Sequence, residues 1–353
     1  MTATRAAGSI EADRPQTDGP LLEVENLHVE FKTPYGVVNA VNGVTYTLSA
    51  RETLAILGES GSGKSVSAQA IMGIIDIPPG RIPAGVIRYR GVDLLTAPES
   101  ERRKVRGRKI AMIFQDALTA LNPVFSVGFQ IGEMFRVHQG ASKQEAKQKS
   151  IELMERVRIP SARERVGDYP HQFSGGMRQR VMIAMALALD PDILIADEPT
   201  TALDVTVQAQ IMGLLSDLQD ETGMGLILIT HDLGVVADVA DKVAVMYAGK
   251  IVETGSIFDV YKNPAHPYTQ GLMASIPRLD QKGTKLTPIT GAPPSLMRIP
   301  TGCPFHPRCP YARDRCVAEE PPLYEVSESR RSACHYYEEV LATGSYEEAV
   351  SGD

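Results

Sequence analysis

Three observations predict an α/β fold. Apolar runs of strand length recur at residues 53–57, 110–114, 193–196 and 226–230, and the last three each end in polar or acidic side chains. Helical spacing of apolar residues separates them, as in Ile151, Leu153, Met154 and Val157 set among Lys and Glu, a stripe that reads as core packing. The run at 53–57 passes through Gly58-Glu59-Ser60-Gly61-Ser62-Gly63-Lys64-Ser65 directly into a helical run that starts at Val66. This octapeptide matches G-x-x-x-x-G-K-[ST] at every fixed position, in strand–loop–helix context, and so predicts a phosphate-binding loop. Its glycines let backbone N–H groups turn inward, and the helix N-terminus adds positive potential. Lys64 is placed to reach β and γ phosphates, and the Ser65 hydroxyl to ligate Mg²⁺.

The 353 residues suffice for one large core and a small second domain. A formal charge of −7 argues against non-specific nucleic-acid binding. Residues 1–20 mix Thr, Ala, Glu, Asp and Arg without an apolar run, and read as a disordered leader. No later stretch offers ~18 uncharged apolar residues, so no bilayer span is expected. In the cytosol that this implies, the four cysteines are poor candidates for structural disulfides.

Leu22, Val24, Leu27, Val29 and Phe31 predict an edge strand with a slip in phase, and Val44, Tyr46 and Leu48 a half-buried strand. Tyr35 lies in the loop between them. It is placed either to stack on a purine ring or to cover the sheet edge. The strand at 110–114 leads into Gln115, where α/β sheets place ligands, so Gln115 can reach a metal or a water. From about 122 to 188 the pattern is helical. Within it, Phe173-Ser174-Gly175-Gly176-Met177 opens an apolar helix with a Ser N-cap, a second anion-accepting helix start.

The run at 193–196 ends in Asp197-Glu198, as a Walker B strand requires. Asp197 would hold Mg²⁺, through water, and Glu198 would polarise the attacking water. Thr201-Ala202-Leu203-Asp204 precedes a helix over about 205–219. His231 follows the strand at 226–230, placed to contact a γ-phosphate if its companions are present. Residues 243–247 and 249–253 predict a closing hairpin.

After about 263 prolines interrupt the pattern, which marks a linker and a small appended domain. It holds every cysteine: Cys303, Cys309, Cys316 and Cys334. Four clustered thiols in a loop-rich segment suggest a structural Zn²⁺ or an iron–sulfur cluster. The spacings lack a C-x-x-C pair, which weakens a zinc-ribbon reading.

With these residues assembled, residues 21–255 resemble the ATP-binding subunits of ABC transporters. Gly58 to Ser65 looks like the Walker A loop, Gln115 the Q-loop, and Ser174-Gly175-Gly176-Met177 the ABC signature, with Met177 where Gln is common. Asp197-Glu198 looks like Walker B, Asp204 the D-loop, His231 the switch His, and Tyr35 the adenine-stacking aromatic. The resemblance implies a P-loop NTPase of the ABC class over 21–262, with a RecA-like core, an antiparallel β subdomain and a helical subdomain over about 122–190. ATP would be bound by Tyr35, Gly58, Ser60, Gly61, Ser62, Gly63, Lys64, Ser65 and Val66. Mg²⁺ would be held by Ser65, Gln115 and Asp197, with Glu198, His231 and Gln115 catalytic. Ser174 to Met177 would act in trans on the ATP of a second domain.

Asn263 to Thr269 and Gly302 to Pro310 resemble the C-terminal region of one subfamily, the dipeptide/oligopeptide and nickel importers. That resemblance implies a four-Cys C-terminal domain over 263–340, followed by an acidic tail at 341–353. It also implies a [4Fe–4S] cluster on Cys303, Cys309, Cys316 and Cys334, with Zn²⁺ as the alternative. The expected function is ATP-driven uptake of di- or oligopeptides at the cytoplasmic face of the cell membrane, by a peripheral subunit. Its expected partners are two transmembrane permease subunits, a second ATP-binding subunit (a copy of this chain, or a homologous chain that makes a heterodimer) and an extracytoplasmic peptide-binding protein, with no nucleic acid. Nickel or haem cargo is one alternative. A soluble ABC ATPase of translation or DNA repair is another, but the second cassette and the long coiled coil typical of those are missing.

Overall fold

The computed structural model describes residues 19–201, 203–275 and 288–343, and of Leu118 the backbone alone. Most of the expected leader (1–20) and of the acidic tail (341–353) lies outside the described residues, as does Ala202. Among the described residues, twelve strands run in the order β1 (Leu22–Thr33), β2 (Gly36–Leu48), β3 (Thr53–Leu57), β4 (Gly80–Tyr89), β5 (Val92–Asp93), β6 (Ile110–Ile113), β7 (Ile193–Asp197), β8 (Gly225–Thr230), β9 (Lys242–Tyr247), β10 (Lys250–Ser256), β11 (Tyr324–Ser327) and β12 (Arg330–Ser332). The chain divides into two compact units, one of residues 23–47, 53–87 and 230–353, the other of 1–22, 48–52 and 88–229.

In the first unit β1 lies between β2 and β4. The phase slip read from its sequence falls at Asn26, whose φ of 46° interrupts the alternation; Val24 before it and Leu27 and Val29 after it are all fully buried. The edge position expected for β1 is corrected, because both of its hydrogen-bonding sides are taken. β3 runs parallel to β9, and β9 and β10 form the expected hairpin. Its turn residues Ala248 and Gly249 both have positive φ, the geometry that a tight two-residue hairpin demands.

The hairpin does not close the sheet. β12 pairs antiparallel with β10 (Glu253 opposite Ser332) and β11 pairs with β12. Glu253, completely buried, accepts from Arg330 Nη2 at 2.8 Å and from the backbone N–H groups of Ala265 at 2.8 Å and His266 at 3.1 Å. A buried carboxylate is costly unless its oxygens are satisfied, so this pair fixes how the C-terminal strands meet β10.

In the second unit β6, β7 and β8 are parallel neighbours (Ile110 opposite Ile193, Ile193 opposite Gly225), and every residue in them is buried, as expected of a parallel sheet covered on both faces. Its helices start on side-chain caps. Ser126 accepts from Phe129 N, Ser142 and Glu145 form a reciprocal capping box, and Asp204 accepts from Val207 N at 2.9 Å. The helices Val127–Gln139 and Lys143–Arg156 approach closely where Ser150 Oγ donates to Gly128 O and Ala146 O. The stripe of Ile151, Leu153, Met154 and Val157 is buried. Among the described residues no helix is long and apolar enough to cross a membrane.

Candidate functional site

In the first unit the loop after β3 turns on glycines that no other residue replaces. A Cβ on Gly58 (φ 151°) would lie 2.2 Å from Met246 O, and one on Gly63 (φ 102°) 2.1 Å from Ala40 O. Gly63 caps the helix Lys64–Met72 with no side-chain cap, so the first backbone N–H groups of the helix adjoin the loop. Lys64 is buried, and its Nζ donates to Gly58 O at 2.7 Å and Glu59 O at 3.0 Å, which holds the ammonium over the loop. Ser62 N donates to Glu59 O and Gly249 N to Ser62 O, which pins the loop to the β9–β10 turn.

Ser62 Oγ is buried without a protein partner, and the space around Gly61 is open. An orphaned hydroxyl beside inward N–H groups and a lysine is a donor set that fits nucleotide phosphates. Ser60 is exposed, and Ser65 and Val66 are half-buried at the start of the helix. Tyr35 is 89 % exposed, so the reading in which it covers the sheet edge is removed. His231 follows β8 on the surface, beside Asp232, whose carboxylate caps the helix Leu233–Val239.

In the second unit β7 ends in Asp197, which is 4 % exposed, and Glu198, whose φ of 47° is unusual for a side chain with a Cβ. Glu198 N donates to Ile229 O at 2.8 Å, and this bond to β8 holds the strained backbone in place. Its carboxylate oxygen Oε2 accepts from Gln115 Nε2 at 2.7 Å and from Thr201 Oγ1 at 3.0 Å. The sequence placed Gln115 toward a metal or a water; it also orients the acid. Ser174 is the N-cap of the helix Gly175–Leu187 and accepts from Met177 N. Gly176 packs so closely on Val207 that a Cβ would lie 2.6 Å from Val207 Cγ1, which fixes the signature helix against the helix led by Asp204. Met177 Sδ accepts from Arg165 Nη1 at 3.0 Å, a role that does not depend on the usual Gln.

The expected [4Fe–4S] cluster on Cys303, Cys309, Cys316 and Cys334, and with it the iron–sulfur and metal-binding assignment and the Zn²⁺ alternative, is corrected. Among the described residues no group of three or more His, Cys, Asp or Glu side chains is arranged to hold a metal ion. The four thiols instead line a cavity of about 10 Å³ with Phe305, Tyr311 and Pro321, roughly the space of one water. Burial pushes Cys303 up to about 11 and Cys334 up to about 12, and Cys309 further still. The cause is desolvation, which disfavours the charged thiolate. Clustering in sequence signalled a shared pocket and not its chemistry.

Sequence reasoning also missed the far side of the phosphate loop. Glu59 N donates to Tyr268 OH at 2.8 Å, and the Glu59 carboxylate takes both Nη1 (2.7 Å) and Nη2 (3.0 Å) of Arg308. Arg308 lies 249 positions from Glu59, beyond any local pattern.

The ABC transporter family model matches residues 41–201, and the model of the oligopeptide/dipeptide transporter C-terminal region matches residues 252–316. The oligopeptide transport ATP-binding protein OppD of Salmonella typhimurium is 53 % identical over 320 residues, 91 % of this chain and 95 % of that one. A peptide import ATP-binding protein of Brucella abortus is 50 % identical over 334 residues, 92 % of this chain and 99 % of that one. Among solved structures, a dimeric ATP-binding cassette bound to ADP and Pi superposes with a TM-score of 0.60 at 26 % identity, over 67 % of this chain and 98 % of that one. An ABC transporter subunit of Clostridium perfringens gives 0.59 at 29 % identity, over 69 % and 90 %.

Fold and motifs together define a P-loop ATPase of the cassette type, which uses ATP and Mg²⁺. The chain belongs to the ABC transporter ATP-binding family, in its oligopeptide/dipeptide branch. Membership makes it the ATP-hydrolysing subunit of a transporter whose permease partners lie in the membrane.

Proposed function

We propose that this subunit couples ATP binding and hydrolysis to the import of di- or oligopeptides, from the cytoplasmic face of the membrane. The support is the likeness to OppD and to the peptide import protein of Brucella abortus over nearly the whole chain, the C-terminal region included. In this reading Gly58, Ser60, Gly61, Ser62, Gly63, Lys64, Ser65 and Val66 bind the phosphates and Tyr35 stacks on adenine. Ser65, Asp197 and Gln115 would hold Mg²⁺, which would supply charge neutralisation at the phosphoryl group being transferred. Glu198 orients the attacking water and takes its proton as oxygen bonds to the γ-phosphorus and the bond to the β-phosphate oxygen breaks. His231 contacts the γ-phosphate.

The observation that carries this assignment of the base is the Gln115–Glu198 hydrogen bond, which aims a strained carboxylate. Ser174, Gly175, Gly176 and Met177 serve the ATP of a second, homologous subunit, Asp204 stands at the seam, and an extracytoplasmic binding protein delivers the peptide. The cassette occupies residues 21–262 and the importer-specific domain 263–340. Reconstitution with two permeases and a partner ATPase tests the reading. Hydrolysis should rise when peptide-loaded binding protein is added; stimulation by nickel or haem and not by peptide would overturn the cargo assignment.

A further inference from the structure

The phosphate loop is held from outside by the C-terminal segment, through a residue the loop pattern leaves free. Glu59, the second residue of the loop, presents three groups, and each is engaged. Its N–H goes to the hydroxyl of Tyr268, its carbonyl oxygen accepts from Lys64 Nζ and Ser62 N, and its carboxylate is forked onto Arg308. Arg308 is itself immobilised. Its side chain is only 5 % exposed, its Nε donates to Thr290 O at 3.0 Å, and its Nη1 also donates to Tyr247 OH at 3.3 Å. Tyr268 is fully buried and packs on Tyr247 (ring centroids 4.6 Å apart) and Phe305 (5.4 Å), and the Tyr247 ring meets Phe305 edge-on. Burial alone would lower the Arg308 pKa, but the Glu59 carboxylate and the Tyr247 hydroxyl outweigh it and hold the guanidinium above its ordinary value.

We propose that Arg308 and Tyr268 are positioning residues for the ATP reaction, a clamp that masks the Glu59 carboxylate and fixes the loop backbone for the triphosphate. A carboxylate borne by the phosphate loop repels an anionic ligand unless a cation covers it, and a planar fork covers both oxygens at once. The Tyr268 hydroxyl accepts the Glu59 N–H, which fixes the peptide plane between Gly58 and Glu59. Nucleotide affinity therefore depends on the seating of a segment that carries none of the phosphate-binding residues.

The proposal rests on the reading of the loop as the ATP site, so Lys64→Ala is the first control. The measurement is titration of the full chain with fluorescent mant-ATP, with thermal melts to establish folding. Arg308→Ala should weaken binding by about tenfold or more, as for loss of one partner of a buried hydrogen-bonded charge pair. Adding Glu59→Gln to it should recover most of that loss, because no bare carboxylate remains. Arg308→Lys, which keeps the charge and loses the fork, should fall between. Tyr268→Phe should weaken binding several-fold. A folded Arg308→Ala protein with unchanged affinity, or a loss that Glu59→Gln does not relieve, reduces Arg308 to a structural role and overturns the clamp. If Arg308→Ala does not fold, wild-type affinity in both Arg308→Lys and Tyr268→Phe overturns it equally. Unchanged affinity in Lys64→Ala would instead sink the ATP-site reading, and the clamp with it.

Discussion

Gln115 Nε2 lies 2.7 Å from Glu198 Oε2, on a carboxylate whose backbone sits at a φ of 47°. Strain of this kind persists only where surroundings over-determine it. Here the bond from Glu198 N to Ile229 O and the donors Gln115 and Thr201 do so.

Replacing Glu198 with Gln keeps its shape and removes its basicity. Phosphate release by the assembled transporter should fall by about two orders of magnitude or more, while mant-ATP affinity stays within a small factor of wild type. Turnover at the wild-type rate would remove Glu198 as the base.

Gly63→Ala sets a Cβ 2.1 Å from Ala40 O at a left-handed φ. Backbone cannot yield as a flexible side chain can, so the loop must shift. A loss of about 1–3 kcal/mol is expected for a side chain forced into this region, more with the clash included. Thermal unfolding should show the lower midpoint, and mant-ATP titration a large loss of affinity.

Arg330→Ala leaves Glu253 buried without its cation. Removing one partner of such a pair costs about 3–5 kcal/mol. Because the side chains are 8 % and 0 % exposed, little of this is lost to solvent screening. Limited proteolysis should then cut within 288–343 before it cuts elsewhere; a cleavage pattern like that of wild type would contradict this.

His266 supplies an acid limit. Complete burial lowers its pKa from 6.5 to about 3, against a smaller opposing effect of the Ala333 backbone, and its Nδ1 accepts from Tyr268 N at 3.1 Å. Because the folded pKa lies below the unfolded one, the neutral ring stabilises the fold above pH 6.5. That contribution is lost as pH falls from 6.5 toward 3, at up to about 1.4 kcal/mol per pH unit. His266→Asn should flatten the pH dependence of thermal unfolding across this window. An unchanged slope would place the acid sensitivity elsewhere.

The strands that bear the motifs were readable because each is a short apolar run closed by a polar or acidic residue. β6, β7 and β8 accordingly lie within a residue or two of their expected limits. The N-cap role of Ser174 was legible for a local reason, a small hydroxyl followed by two glycines and an apolar run. The edge position assigned to β1 failed because alternation reports which face is buried and says nothing of how many neighbours a strand has. β11 and β12 were missed because Tyr324–Ser327 and Arg330–Ser332 are too short and polar to signal a strand; their pairing is decided by Glu253, some 77 positions from Arg330. Cysteine clustering recorded a shared pocket but not its geometry, since the four side chains are not arranged to hold a metal ion. The Glu59–Arg308 fork had no local trace at all.

The pairing of β12 with β10 has a consequence for any shortened form of the chain. A protein ended after Lys262 would carry β10 as a bare margin, with unsatisfied backbone groups along it and the Glu253 carboxylate stripped of all three donors. Exposed strand margins recruit other chains. Such a fragment would tend to self-associate through that margin, and the oligomers it formed would reflect the missing cover and not the contacts of the intact subunit.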